Sequence, residues 1–249
     1  MTDNYDRIAR FYDTDMALNM AFDDVGFYAA RCAEAGGPVL ELGCGNGRIL
    51  LPLLDRGFDV TGVDASAGML DGLRRKAADR GLVPRIARMD ARALAFAGAF
   101  GIVLCPYSLI TYQVTPDDVA RLFGGVQRAL RPGGRFVVDA FVPRPVAASA
   151  EFSLDYRRPY DGGFLVRSKR VTPLPDGCNR IERRYEVVTA AGRTIDCVEV
   201  SEEIRPVSPE GLVAALERRG FRIVESWWDY GTRAAAAGAQ FFTAVAQVP

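Results

Sequence analysis

Short apolar runs alternate with amphipathic stretches along most of this chain, and the alternation sets the elements. Val39–Leu42 is a compact apolar run that feeds a glycine-rich turn, and Ile49–Leu54 behind the turn is apolar enough to begin a buried helix. Phe58–Asp64, Arg85–Met89 and Gly101–Cys105 are further strand-like runs, with Phe96–Phe100 a loop before the last of them. A helical stretch leads from Ala65 to Arg80 and stops at Gly81. A second, capped by Thr115 and Asp117 around Pro116, runs to Leu130, where the chain turns into a fifth strand through Val138. Strands of about 5 residues alternating with helices of about 12 predict an α/β fold, a mostly parallel sheet with helices on both faces. Pro209–Arg219, ended by Gly220, then reads as a helix, and Phe221–Trp228 and Gln240–Gln247 as two last strands.

Two segments break this rhythm. Residues 1–36 read as helical, in two pieces. Tyr5 and Tyr12 share one face of the first piece, and Asp23 and Asp24 cap the second, Val25–Ala35, which ends at Gly36-Gly37-Pro38. From Pro143 the period becomes two: residues 163–173, 179–190 and 193–204 predict three antiparallel strands with turns at Pro175-Asp176-Gly177 and Ala191-Gly192. Bases on the first two strands (Arg167, Lys169, Arg170, Arg180, Arg183, Arg184) stand opposite acids that include Glu182, Glu199, Glu202 and Glu203, as in cross-strand ion pairs on a solvated face. The division expected is a helical lid over 1–36, a core over 37–143 and 206–249, and an antiparallel β insertion over 144–205.

Composition narrows the chemistry. With 31 acids against 31 bases there is no net field to draw nucleic acid or an anionic membrane. No apolar run approaches the roughly 18 residues of a membrane span. Cys32, Cys44, Cys105, Cys178 and Cys197 are dispersed, with no C-x-x-C pair, which predicts free thiols in a reducing cytoplasm. The chain has no histidine, so Ser-His-Asp and Cys-His arrangements, an imidazole base and histidine metal sites are all excluded.

The glycine turn carries the strongest motif. Glu41-Leu42-Gly43-Cys44-Gly45-Asn46-Gly47-Arg48 lacks the third glycine of the dinucleotide fingerprint G-x-G-x-x-G, because position 48 is arginine. What remains, E-x-G-x-G-x-G, resembles motif I of the class I S-adenosylmethionine-dependent methyltransferases. Asp64 closes the second strand at a spacing suited to a ribose diol. Arg88-Met89-Asp90-Ala91 and Leu130-Arg131-Pro132-Gly133-Gly134 match further family positions, in order, over residues 39–142. Tyr5-Asp6 to Tyr12-Asp13 is similar to the opening found in many small-molecule members, among them the aminosugar N-methyltransferases.

The resemblance implies a Rossmann-like, seven-stranded sheet and S-adenosyl-L-methionine as cofactor, left as S-adenosyl-L-homocysteine. It implies that Glu41, Gly43, Cys44, Gly45, Asp64, Ala65, Met69, Asp90, Ala91, Cys105 and Tyr12 surround the cofactor. Asp64 would hold the ribose, Met69 the adenine face and Asp90 the adenine amino group. Tyr28 either reaches the cofactor's carboxylate or packs in the core. Tyr5, Tyr107, Tyr112 and Asp139 stand on the substrate side, with Tyr107, Tyr112 and Asp139 as candidate catalytic groups and Asp139 equally a structural cap. Leu104-Cys105-Pro106-Tyr107 lacks the amide or acid and first proline of the nucleic-acid amino-methyltransferases. Cys105-Pro106 reverses the order of the C5-cytosine enzymes, no acid follows the fourth strand as in the metal-dependent catechol enzymes, and Tyr112 stands where related members often carry histidine. These departures point to metal-free transfer to a small molecule, amine or hydroxyl. Two other readings stay open: a non-methylating transfer or intramolecular cyclisation on the same fold, and a non-catalytic cofactor binder. A homodimer through the β insertion is left open as well.

Overall fold

The structure is a computed structural model that describes residues 2–235 and 238–249; Met1, the first residue of the expected lid, lies outside them. In chain order the elements are α1 (Thr2–Ile8), a 3-10 turn (Ala9–Phe11), α2 (Tyr12–Met16), α3 (Asp24–Ala35), β1 (Val39–Leu42), α4 (Leu50–Asp55), β2 (Val60–Asp64), α5 (Ala67–Asp79), β3 (Arg85–Arg88) and β4 (Phe100–Cys105). After a 3-10 turn (Leu109–Tyr112) come α6 (Pro116–Ala129), β5 (Leu130–Phe141), β6 (Ser153–Tyr160), β7 (Gly163–Pro173), β8 (Asn179–Val188), β9 (Thr194–Ile204), α7 (Pro209–Glu217), β10 (Arg222–Trp228) and β11 (Phe241–Gln247).

Seven strands form one sheet in the order β10-β11-β5-β4-β1-β2-β3. The pairs among β1 to β5 are parallel, and β11 is antiparallel to both its neighbours, so it alone runs backwards. This is the Rossmann-like α/β fold expected. The order reverses between β1 and β4, the crevice where open α/β sheets receive ligands beyond their strand ends. β1 and β4 are buried on both sides, which is why they read as unbroken apolar runs. One core packs the sheet against α6 and α7 through Leu122, Phe123, Leu212 and Leu216. The other packs it against α3, α4 and α5 through Phe27, Leu50, Leu53 and Leu73.

The insertion is a four-stranded antiparallel sheet, β6-β7-β8-β9. Its first strand was not anticipated: Ser153–Tyr160 pairs only with β7, and as an edge strand it tolerates Pro159 and needs no apolar alternation. Three smaller differences follow from local chemistry. Phe100 belongs to β4 and not to a loop, since it pairs with Leu130. Thr115 caps α6 alone by accepting from Asp118 N, while exposed Asp117 pairs with Arg121. β8 stops at Val188, short of 190, because the turn to β9 closes there.

α1 and α2 lie between the two sheets. Ile8 and Phe11 are buried against Leu165, Tyr185, Val198 and Val200 of the small sheet, and the Phe11 and Tyr185 rings stack at 5.7 Å. Asp15 fixes the junction by accepting from Tyr156 (2.7 Å), Tyr185 (3.1 Å) and Arg167. On the core side, Asp6 accepts from Ser66 Oγ at 2.6 Å and Gly68 N at 2.7 Å, at the start of α5. A Cβ on Gly68 would meet the Asp6 backbone at 3.2 Å, so this close seating of α1 depends on glycine there.

Candidate active site

The site begins at the carboxyl end of β1. Gly43, Gly45 and Gly47 all have positive φ (63°, 52° and 90°), a run that side-chain-bearing residues adopt only with strain. Cys44 N bonds Val63 O at 3.0 Å and ties the turn to β2. Asp64 completes it: one carboxylate oxygen accepts from Gly45 N and the other from Ser66 N, both at 2.8 Å. Burial raises the Asp64 carboxyl above its ordinary value, and those two backbone N–H groups pull it back. Met69 lies directly against the turn, its methyl 3.3 Å from where a Cβ on Gly45 would stand.

Glu41 is 2% exposed at the end of β1, and its Oε2 has no hydrogen-bond partner among the described residues. Burial pushes its carboxyl up to about 8, against the pull of Arg48 and with Asp64 and Asp24 adding to the rise. A buried carboxyl without a partner is costly, and the cost needs a reason.

Past β4 the backbone makes a sharp turn in which Tyr107 and Ser108 both have positive φ (55° and 61°). Neither is glycine, so the turn must be held from outside. Asp139, at the end of β5 and 0% exposed, does this. Its carboxylate accepts from Tyr107 N at 3.0 Å and Ser108 N at 2.6 Å, and from the hydroxyls of Tyr230 (2.9 Å) and Tyr28. Four donors converge on it, three of them on Oδ2 and one on Oδ1. Such contacts suit the structural cap, one of the two roles expected for it. Tyr28 likewise belongs to the core.

Four tyrosines named from the sequence do come together. Tyr5 and Tyr112 share a hydrogen bond of 2.8 Å between their hydroxyls, and the Tyr5 ring lies 6.5 Å from that of Tyr12. Tyr12 in turn neighbours Tyr107, Tyr112 and Arg48. Burial pushes all four phenols up, that of Tyr107 to about 12. Arg48, read from the sequence only as a missing glycine, stands over the Tyr107 ring at 5.4 Å and pairs with Asp24 at 2.8 Å. It lines a cleft of about 420 Å³ beside the glycine turn, together with Tyr12, Met16, Asn46 and Lys76.

The small sheet meets this group through Glu202 of β9, which Tyr112 reaches. Arg180–Glu203, Arg170–Glu182 and Arg184–Glu199 form the outward ladder of ion pairs expected on a solvated face. Arg183 and Glu202 depart from that expectation. They point inward beside Tyr185 and Val200, 2.5 Å apart, with the Glu202 side chain 2% exposed and its Oε2 3.4 Å from Tyr112 OH. Strand parity was the available signal, since Arg183 keeps step with Tyr185 and Val187, and Glu202 with Val198 and Val200.

Asp90, Ala91 and Cys105, all expected at the cofactor, have the following surroundings. Asp90 gives both oxygens to Arg92, whose guanidinium also reaches Asp118, so its carboxylate is engaged along the edge beside β3. Ala91 packs into the core on the α6 side, and the Cys105 thiol is sealed at the end of β4, with burial pushing it up. Ala65 contributes its carbonyl to Arg88 at 3.0 Å. Among the described residues no group of three or more Cys, Asp and Glu gathers that would hold a metal ion, and no helix is long and apolar enough to cross a membrane.

Known proteins resemble this arrangement. A family model described as a methyltransferase domain matches residues 39–134, from β1 into the first residues of β5. The demethylmenaquinone methyltransferase of Thermus thermophilus is 34% identical over 61% of this chain and 77% of its own length. The phosphatidylethanolamine N-methyltransferase of Cereibacter sphaeroides is 35% identical over 76% of this chain and 82% of its own. An S-adenosylmethionine-dependent methyltransferase of Clostridium acetobutylicum superposes with a TM-score of 0.79 over 98% of both chains at 20% identity, a likeness of fold.

Proposed function

The chain belongs to the class I S-adenosylmethionine-dependent methyltransferases, and from that membership we propose that it methylates the nitrogen of a small-molecule amine, by positioning and without an enzyme base. The observation that carries the reading is the tyrosine enclosure. Its phenols are all pushed up by burial, and the carboxylate on the strand behind them, Asp139, is engaged by four donors. Such phenol walls orient a nucleophile and exclude water, but the phenols themselves are poor proton acceptors near neutral pH. An amine bound in its neutral form needs none, because it brings its own lone pair.

The residues at the glycine turn fit the cofactor. Gly43 and Gly45 let the backbone approach a ligand closely, and the Glu41 Oε2 left without a partner is suited to the cofactor's amino group. Asp64, at the end of β2 and bonded to the turn at Gly45 N, is read as the partner of the ribose hydroxyls. When bound, S-adenosylmethionine supplies a methyl carbon already activated by its sulfonium. The protein's task is then alignment in a water-poor enclosure. Tyr107 is set by the turn that Asp139 holds. Tyr5 and Tyr112, joined through their hydroxyls, fix the wall where lid and small sheet meet. The N-methyl specificity of the Cereibacter relative, as named, agrees with a nitrogen acceptor. The closed lid and cap favour a small acceptor over nucleic acid.

The test is a mass-spectrometric screen of aminosugars, other primary and secondary amines, phenols and carboxylic acids with S-adenosylmethionine. The expected result is a gain of one CH2 on nitrogen, with an equal amount of S-adenosylhomocysteine. Gain on oxygen alone, or release of methylthioadenosine, refutes the amine reading.

A further inference from the structure

The methyltransferase motifs do not account for the buried pair on the inner face of the small sheet. Glu202 lies on β9 with its side chain 2% exposed. Its Oε2 is taken by Arg183 at 2.5 Å and, more weakly, by the Tyr112 hydroxyl at 3.4 Å. Its Oε1 is buried and has no partner among the described residues. Arg183 is itself surrounded by Tyr5, Tyr112, Tyr185 and Glu202. Burying an ion pair is favourable only when the remaining lone pairs are satisfied, and one carboxylate oxygen here is not. Tyr5 from the N-terminal segment and Tyr112 from the turn after β4, both of the proposed acceptor enclosure, lie beside this pair. A purely structural ion pair would sit as well on the outer ladder with the other three.

We infer that Glu202 Oε1 is a substrate-binding acceptor that takes an N–H of the amine, with Arg183 as its positioning residue. This rests on the amine reading above. Arg183 neutralises the carboxylate, so the site is a directional acceptor and not a bare anion that would trap the unreactive ammonium. As the methyl group arrives the nitrogen becomes cationic, and a carboxylate oxygen fixed on its N–H favours that charge without having to reorganise.

Sinefungin and S-adenosylhomocysteine test this without knowledge of the acceptor. Sinefungin carries an ammonium where the donor carries its sulfonium methyl, and S-adenosylhomocysteine carries nothing there. Calorimetry on the full chain gives the affinity ratio of the two ligands. In Glu202→Gln the preference for sinefungin is expected to fall roughly tenfold, about 1.4 kcal/mol, with S-adenosylhomocysteine affinity unchanged. Should Arg183 without its counter-charge unfold that variant, Arg183→Met with Glu202→Gln removes both charges and is read the same way. A sinefungin preference that stays at the wild-type value in the folded variant overturns the assignment, even if the screen finds an N-methylated product. A screen that finds only O-methylation refutes the amine reading, and the sinefungin ratio still decides Glu202.

Discussion

Asp139 holds Tyr107 in place through its backbone. The carboxylate accepts from Tyr107 N at 3.0 Å and from Ser108 N at 2.6 Å, and so pins two successive left-handed residues that lack glycine's freedom. Asp139→Asn exchanges an acceptor for a donor at a point where four donors converge. The expected loss is about 1.5–3 kcal/mol of stability, the scale of a hydrogen bond to a charged group. Chemical denaturation gives that loss. Turnover should fall with the pH profile unmoved, because Tyr107 is displaced and no base is removed; a profile that flattens would make Asp139 the base after all.

Glu41 makes the apo protein sensitive to pH. Its carboxyl is raised by burial from 4.5 to about 8 in the folded state. The folded chain therefore keeps a proton that the unfolded chain gives up across that window. Glu41's contribution to stability is full below 4.5 and is lost as pH rises through 8, a change on the order of a few kcal/mol. Denaturation of the cofactor-free protein across this range should show the slope, and Glu41→Gln should flatten it. Bringing the cofactor's amino group to Glu41 ionises it, so binding at pH 7 should release up to about one proton. Calorimetry in two buffers of different ionisation enthalpy measures that release; equal enthalpies in both would remove Glu41 from the cofactor site.

Asp64 should matter to affinity more than to rate. Asp64→Ala removes a carboxylate that orders the glycine turn through Gly45 N and is placed for the ribose. Cofactor affinity should fall roughly tenfold or more, since charged hydrogen bonds contribute about 1.5–3 kcal/mol. Unchanged affinity would shift the anchoring role to Glu41.

The lid is held to the small sheet by Asp15, which Tyr156, Tyr185 and Arg167 reach together. Asp15→Ala should free the N-terminal segment and speed cofactor dissociation roughly tenfold, for the same loss of charged hydrogen bonds. Stopped-flow displacement gives the rate, and early proteolysis ahead of α3 gives an independent sign. A variant that releases cofactor at the wild-type rate would mean the lid does not gate the site.

The sheet and its glycine turn were legible because both depend on local signals. β1 and β4 are apolar throughout, the glycines mark where φ turns positive, and Asp64 ends β2. Ser153–Tyr160 was not legible, since an edge strand paired on one side needs no apolar period and this one carries Pro159. Asp139 stayed undecided between substrate group and cap for another reason: its partners lie 31 to 111 positions away and two of them are backbone N–H groups, which no side-chain pattern records. Arg183 and Glu202 were readable in principle by parity with Tyr185 and Val200. Their charge suggested solvent, and the lid that buries them comes from the opposite end of the chain.

On the amine reading the enclosure positions the acceptor, and no enzyme group takes its proton. With cofactor saturating, which removes the titration of Glu41 from the measurement, kcat/KM for the acceptor should be followed against pH with two amine analogues about one pKa unit apart. The rising limb is expected to move with the analogue, because burial holds the enclosure phenols high, that of Tyr107 at about 12. A limb that stays at the same pH for both analogues would place the base in the protein and contradict the account.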